Sequence, residues 1–75
     1  EIKLNEKIIS DICGKLNEWS GDYRIQVTDD YSMSFAMDND MIYIGDLIEI
    51  RISETPLHRL QNLYLDLAGH ELTVP

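Results

Sequence analysis

The chain has 75 residues, room for one domain spanning 1–75. Hydrophobic residues make up 44% and charged residues 27%, a globular composition, and acids outnumber bases 14 to 6 for a formal net charge of -8. No apolar run approaches the roughly 18 residues of a membrane span, and the N-terminus lacks the basic segment and apolar core of a secretory signal.

The single cysteine, Cys13, cannot form an internal bridge. A lone thiol fits a reducing, cytoplasmic setting. The six basic residues, Lys3, Lys7, Lys15, Arg24, Arg51 and Arg59, form no run. Direct binding to nucleic acid or to an anionic membrane is therefore disfavoured, because phosphate contacts need Lys and Arg. A basic protein surface is the favoured partner, although net charge also serves solubility.

Residues 2–19 read as a helix. Ile8, Ile9, Ile12, Cys13, Leu16 and Trp19 form an apolar stripe, and Gly14 is expected to weaken the helix without ending it. The Ser20-Gly21-Asp22 cluster supplies the stop. Alternation then sets in, with Tyr23, Ile25 and Val27 on one side of a strand and Arg24, Gln26 and Thr28 on the other. After Asp29-Asp30 it resumes from Tyr31 to Met37. Asp38-Asn39-Asp40 signals a turn, and Met41–Ile44 a third strand. Gly45-Asp46 reads as a two-residue turn, and Leu47–Ser53 as a fourth strand; a bulge at Gly45 would instead fuse the two strands into one. Thr55 is placed to cap a second helix, Pro56 suits its first position, and Leu57, Leu60, Leu63, Tyr64 and Leu67 form its stripe before Gly69.

The expected fold is an α+β two-layer sandwich. A helix, three or four antiparallel strands in a meander and a second helix follow in order, with both helices on one sheet face. Alternate turns of a meander lie at opposite ends of the sheet, so Asp22, Asp38 and Asp40 should share one end and Asp29, Asp30 and Asp46 the other. The outer sheet face should carry Arg24, Gln26, Ser32, Ser34, Ala36, Met41, Tyr43, Glu49 and Arg51, with Met41 and Tyr43 as apolar residues beside small ones. The opposite register of the third strand would expose Ile42 and Ile44 there instead.

Other constellations are weaker. Asp38-Asn39-Asp40 could open a calcium loop, but Gly45 stands at the wrong offset. His58 has no neighbour placed to make a triad, and Cys13 lies in an apolar stripe, where a thiol is inert. The stretch Phe35–Ile44, followed by a helix ending in His70-Glu71, locally resembles the strand and zinc helix of gluzincin metallopeptidases. That resemblance implies zinc and peptide hydrolysis. Here, however, the HExxH pattern would read His70-Glu71-Leu72-Thr73-Val74, with Val74 where the second ligand belongs and no third ligand before Pro75. Neither zinc nor peptidase activity is expected. The element order is also that of a double-stranded-RNA-binding domain, but the basic cluster such domains carry at the start of the last helix is missing from Thr55–Arg59.

The expectation is a non-enzymatic interaction protein with no cofactor. It would be an inhibitor or adaptor that imitates DNA phosphates and occupies a basic, nucleic-acid-binding surface of a partner. Size and charge associate such proteins with phages and other mobile elements. The partner-binding residues would be Asp29, Asp30, Asp38, Asp40, Asp46 and Glu49, with Tyr43 as apolar anchor. Two alternatives stay open: a structural or homo-oligomerisation domain, associating through a sheet edge or through Met41 and Tyr43, and a degenerate metallopeptidase-like fold.

Overall fold

The computed structural model describes residues 2–46 and 48–72. Helix α1 spans Glu6–Cys13, strands β1 to β4 span Tyr23–Gln26, Ser32–Ala36, Met41–Ile44 and Ile48–Arg51, and helix α2 spans Leu57–Ala68. Short 3-10 turns follow β2 at Met37–Asn39 and β4 at Ile52–Glu54. The strands form one antiparallel meander in the order β1-β2-β3-β4. The α+β sandwich expected from the sequence is therefore the fold, with β3 and β4 as separate strands. Among the described residues no helix is long and apolar enough to cross a membrane.

Register puts the apolar side chains in rows. Tyr23, Phe35, Ile42 and Ile50 lie across the sheet from one another, as do Ile25, Met33, Ile44 and Ile48. Phe35, Met33 and Ile42 are fully buried, and they cluster with Ile9 of α1 and with Leu60 and Tyr64 of α2. Burying each large side chain is worth roughly 1.5–3 kcal/mol, which makes this face the main source of stability. A tyrosine hydroxyl ties each helix to β1. Tyr23 donates to a Glu6 carboxylate oxygen at 2.9 Å, and Tyr64 donates to the Gln26 carbonyl at 3.3 Å. The other face carries the row Arg24, Ser34, Tyr43 and Glu49 and the row Ala36, Met41 and Arg51, as the alternation predicts. Ile42 and Ile44 point inward.

Several boundaries differ from the expectation. Helix α1 ends at Cys13, because Gly14 adopts φ 86° and ψ -141° while its N–H still donates to the Ser10 carbonyl at 2.8 Å. That backbone conformation is open to glycine and closed to residues with a Cβ. Leu16 and Trp19 therefore leave the helical stripe, and Trp19 is 98% exposed. Gly21 does take a positive φ, but it closes a separate loop rather than the helix. Residues 17–22 fold back on themselves. Asn17 N–H donates to the Asp22 carbonyl at 2.9 Å, Gly21 N–H to the Asn17 carbonyl at 2.8 Å, and the Asn17 side chain accepts from Trp19 N–H at 2.9 Å.

Thr55 does not cap α2. Its hydroxyl turns back to the Arg51 carbonyl at 2.8 Å, Pro56 takes the cap position, and the Leu57 N–H finds the Ile2 carbonyl at 2.7 Å. A tertiary contact has replaced a local cap. The fourth strand stops at Arg51, and Ile52 is drawn into the core by the 3-10 turn. Its expected first residue, Leu47, lies outside the described residues. Ile44 pairs with Ile48, so three positions join β3 to β4 instead of two.

Candidate functional site

The meander divides the expected site residues among three places. Asp29 and Asp30 occupy the β1–β2 turn, which is closed by Val27 and Thr28 N–H groups on the Tyr31 carbonyl, both at 3.2 Å. Asp46 follows β3 at the same end of the sheet. All three are exposed, and among the described residues none of them forms an ion pair. Asp30 and Asp46 line one shallow hollow of about 330 Å³, whose floor continues onto the outer sheet face through Ser32, Ser34 and Arg24.

The opposite end has a different character. Asp38 is exposed, but Asp40 is held in place. It adopts the left-handed conformation at φ 56°, and its carboxylate accepts from the Ser53 N–H at 3.0 Å and from the Ser53 hydroxyl. Asp40 thus pins the β2–β3 turn to the segment after β4. Asp22, expected at this end too, is 8% exposed. Burial acts to raise its pKa, but hydrogen bonds from Ser20 and Arg24 and the Arg24 charge outweigh burial and hold the carboxyl below its ordinary value. The Arg24–Asp22 contact measures 3.3 Å. Asp22 and Asp40 are therefore occupied by the fold.

Tyr43 and Glu49 are cross-strand neighbours on the outer face, both at least partly accessible. Tyr43 stands between Glu49 and Ser34, and Met41 between Arg51 and Ala36, so large side chains on β3 adjoin small ones on β2. Next to them, Met41, Glu49, Ile50, Arg51, Glu54, Thr55 and Arg59 border a hollow of about 470 Å³ along the free edge of β4. A second, largely apolar hollow of about 460 Å³ lies between Tyr31, Ile44, Ile48 and Leu67.

The residues singled out for chemistry are scattered. His70 and Glu71 stand beyond the end of α2, which Gly69 closes with its N–H on the Leu65 carbonyl at 2.9 Å. The helical frame that places the two histidines of an HExxH motif on one face is thus absent at His70, and Thr73 and Val74 lie outside the described residues. The His70 ring packs edge-on against Tyr64 with centroids 5.5 Å apart. His58 is exposed on the first turn of α2. Burial pushes the Cys13 thiol up to about 12. Among the described residues, no group of three or more His, Cys, Asp or Glu side chains could hold a metal ion.

Trp19 is the residue that sequence reasoning misplaced most. It is the one tryptophan of the chain, and it projects from a loop held by its own hydrogen bonds. The Gly14 break five residues earlier was the available signal. No family model, curated protein or solved structure matches the chain.

Proposed function

We propose that the chain is a small acidic, non-enzymatic protein–protein interaction domain, an inhibitor or adaptor that sits on a basic surface of its partner. The observation that carries this reading is the separation of two kinds of carboxylate. Asp22 and Asp40 are consumed by hydrogen bonds that build the fold. Asp29, Asp30 and Asp46 gather at one end, exposed and without a basic neighbour in ion-pair contact among the described residues. Turn chemistry accounts for an aspartate at each of these positions, but not for the lack of balancing lysine around them. A net charge of -8 speeds encounter with a cationic surface and makes the association sensitive to salt. Imitation of DNA phosphates, Tyr43 as the apolar anchor, and origin in a phage or other mobile element belong to the same proposal.

The test is capture from cytosolic lysate on the immobilised chain at low and at high salt. The expected result is a basic, nucleic-acid-binding protein that is retained at low salt, lost at high salt and displaced by added DNA. Reversing the charge at Asp29, Asp30 and Asp46 together should abolish that retention. Full retention by the triple variant would refute the reading.

A further inference from the structure

The free edge of β4 carries a pattern that fits a second copy of the same strand. β4 is the last strand of the sheet and, among the described residues, pairs with β3 alone. Edge strands are usually blunted by short length, by charged side chains and lysine above all, by proline, by a bulge or by a covering element; β4 is short and carries two charges, but of opposite sign. The segment Ile48-Glu49-Ile50-Arg51 holds no proline or lysine, its pairing with β3 runs without a bulge, and three of its four residues are exposed. The other edge is more occupied. Helix α1 packs against β1, the 17–22 loop joins it at Asp22, and the Gln26 side chain folds back onto the Thr28 and Tyr31 carbonyls.

The backbone direction follows from one bond. Ile52 N–H donates to the Asp40 carbonyl at 3.0 Å, which continues the β3–β4 ladder one pair beyond Met41 and Arg51. Hydrogen-bonded pairs alternate along an antiparallel ladder, so Ile48 and Ile50 direct their backbone groups to β3. Glu49 and Arg51 direct theirs to the open edge. The Arg51 carbonyl accepts there from the Thr55 hydroxyl and keeps a second lone pair.

We propose that two copies of this chain pair antiparallel through β4 about a two-fold axis at Ile50, making one continuous sheet. In that register Glu49 of each copy lies opposite Arg51 of the other. The two residues exchange both of their outward backbone hydrogen bonds, and their side chains meet on the outer face as opposite charges. Ile50, half-buried in the single chain, meets Ile50 of the second copy on the inner face. Alternative registers lose these features. A slip of one residue sets isoleucine against a charged residue from the opposite face. Moving the axis by one residue along the strand sets Glu49 against Glu49, or Arg51 against Arg51, when equivalent faces are kept aligned. Among the described residues the Arg51 side chain makes one ion pair, with Glu54 at 3.8 Å and with both side chains well exposed, a contact too weak to hold it back.

Equilibrium sedimentation of the chain and three edge variants tests the proposal. The wild type should show a concentration-dependent dimer. Glu49→Arg and Arg51→Glu should each weaken it about tenfold or more, since both cross-strand pairs become repulsive. An equimolar mixture of those two variants should dimerise again, because each copy then presents the charges that the other lacks. That rescue also shows that both variants are folded. Glu49→Pro should be monomeric with an unchanged circular dichroism spectrum, because the N–H it removes faces the open edge and serves no bond among the described residues. A wild type that stays monomeric at every concentration overturns the proposal and leaves the edge to a strand from another protein. A dimer that survives both charge reversals, or a mixture that fails to reassociate, overturns it as well.

Discussion

Replacing Gly14 by alanine separates two accounts of the first helix by the sign of a stability change. If the helix ran on past position 14, as the apolar stripe suggests, alanine would stabilise it by about 1 kcal/mol. In the structure the residue has φ 86° and ψ -141°, and a Cβ built on it meets nothing within 4 Å. No neighbour is displaced, so the whole effect is the backbone energy of holding an L-residue in that conformation. That energy is about 1–3 kcal/mol. For a domain of this size each kcal/mol lowers the melting temperature by about 4–8 °C. Urea and thermal unfolding followed by far-ultraviolet circular dichroism measure it directly. Gly14→Ala should lower both midpoints, whereas D-alanine at the same position, made by chemical synthesis, should match or exceed the wild type. A Gly14→Ala variant as stable as the parent would refute the reasoning, since it would mean that the helix end is not set at this residue.

Trp19 should emit as a solvated indole, with the same acrylamide quenching in native buffer and in urea, and Trp19→Ser should change stability by less than about 0.5 kcal/mol; a blue-shifted native emission would place the ring in the core. Cys13, pushed up to about 12 by burial, should be alkylated far more slowly at pH 8 in the folded chain than in urea. Its thiol stays protonated in the folded state while the unfolded one ionises near 9, so the contribution of Cys13 to stability is complete below pH 9 and declines as pH rises toward about 12. Asp22 has the opposite sign. Its folded-state pKa lies below the ordinary 3.8, so the stability it confers is present above that value and is lost as pH falls beneath it. Asp22→Asn should be less stable at neutral pH and show a flatter acid-unfolding curve, and an unchanged curve would show that the Ser20 and Arg24 contacts contribute nothing.

The strands were legible because their signal is local. Alternation in a half-buried sheet follows from the pleat, and it puts Arg24, Ser34 and Glu49 on the outer face and Phe35 on the inner one; for the third strand it favours Tyr43 outside but leaves the opposite register, with Ile42 and Ile44 outside, to be decided by packing. Helix α2 was equally plain from Pro56, the leucine stripe and Gly69. The acidic turns were placed at the correct ends of the sheet for the same reason, since a meander leaves no choice.

Other decisions depend on groups far apart in the chain. Whether Gly14 is a weak helical residue or a helix end is undecided locally, because glycine tolerates both. The packing of Ile9 against the sheet and the return of the 17–22 loop to Asp22 decide it. The cap of α2 comes from the Ile2 carbonyl, more than fifty residues upstream, and frees the Thr55 hydroxyl for Arg51. The division of the aspartates is likewise tertiary. Sequence placed an acid in every turn, but only the approach of Ser53 to Asp40, and of Arg24 and Ser20 to a buried Asp22, separates carboxylates that hold the fold from those left facing solvent. The amino-acid sequence by itself determined the periodicity, the element order and the charge of this protein, because these rest on neighbours within a few residues. The open edge at β4, the exposed indole at Trp19 and the carboxylates free to meet a partner were decided only when distant segments competed for the same hydrogen bonds.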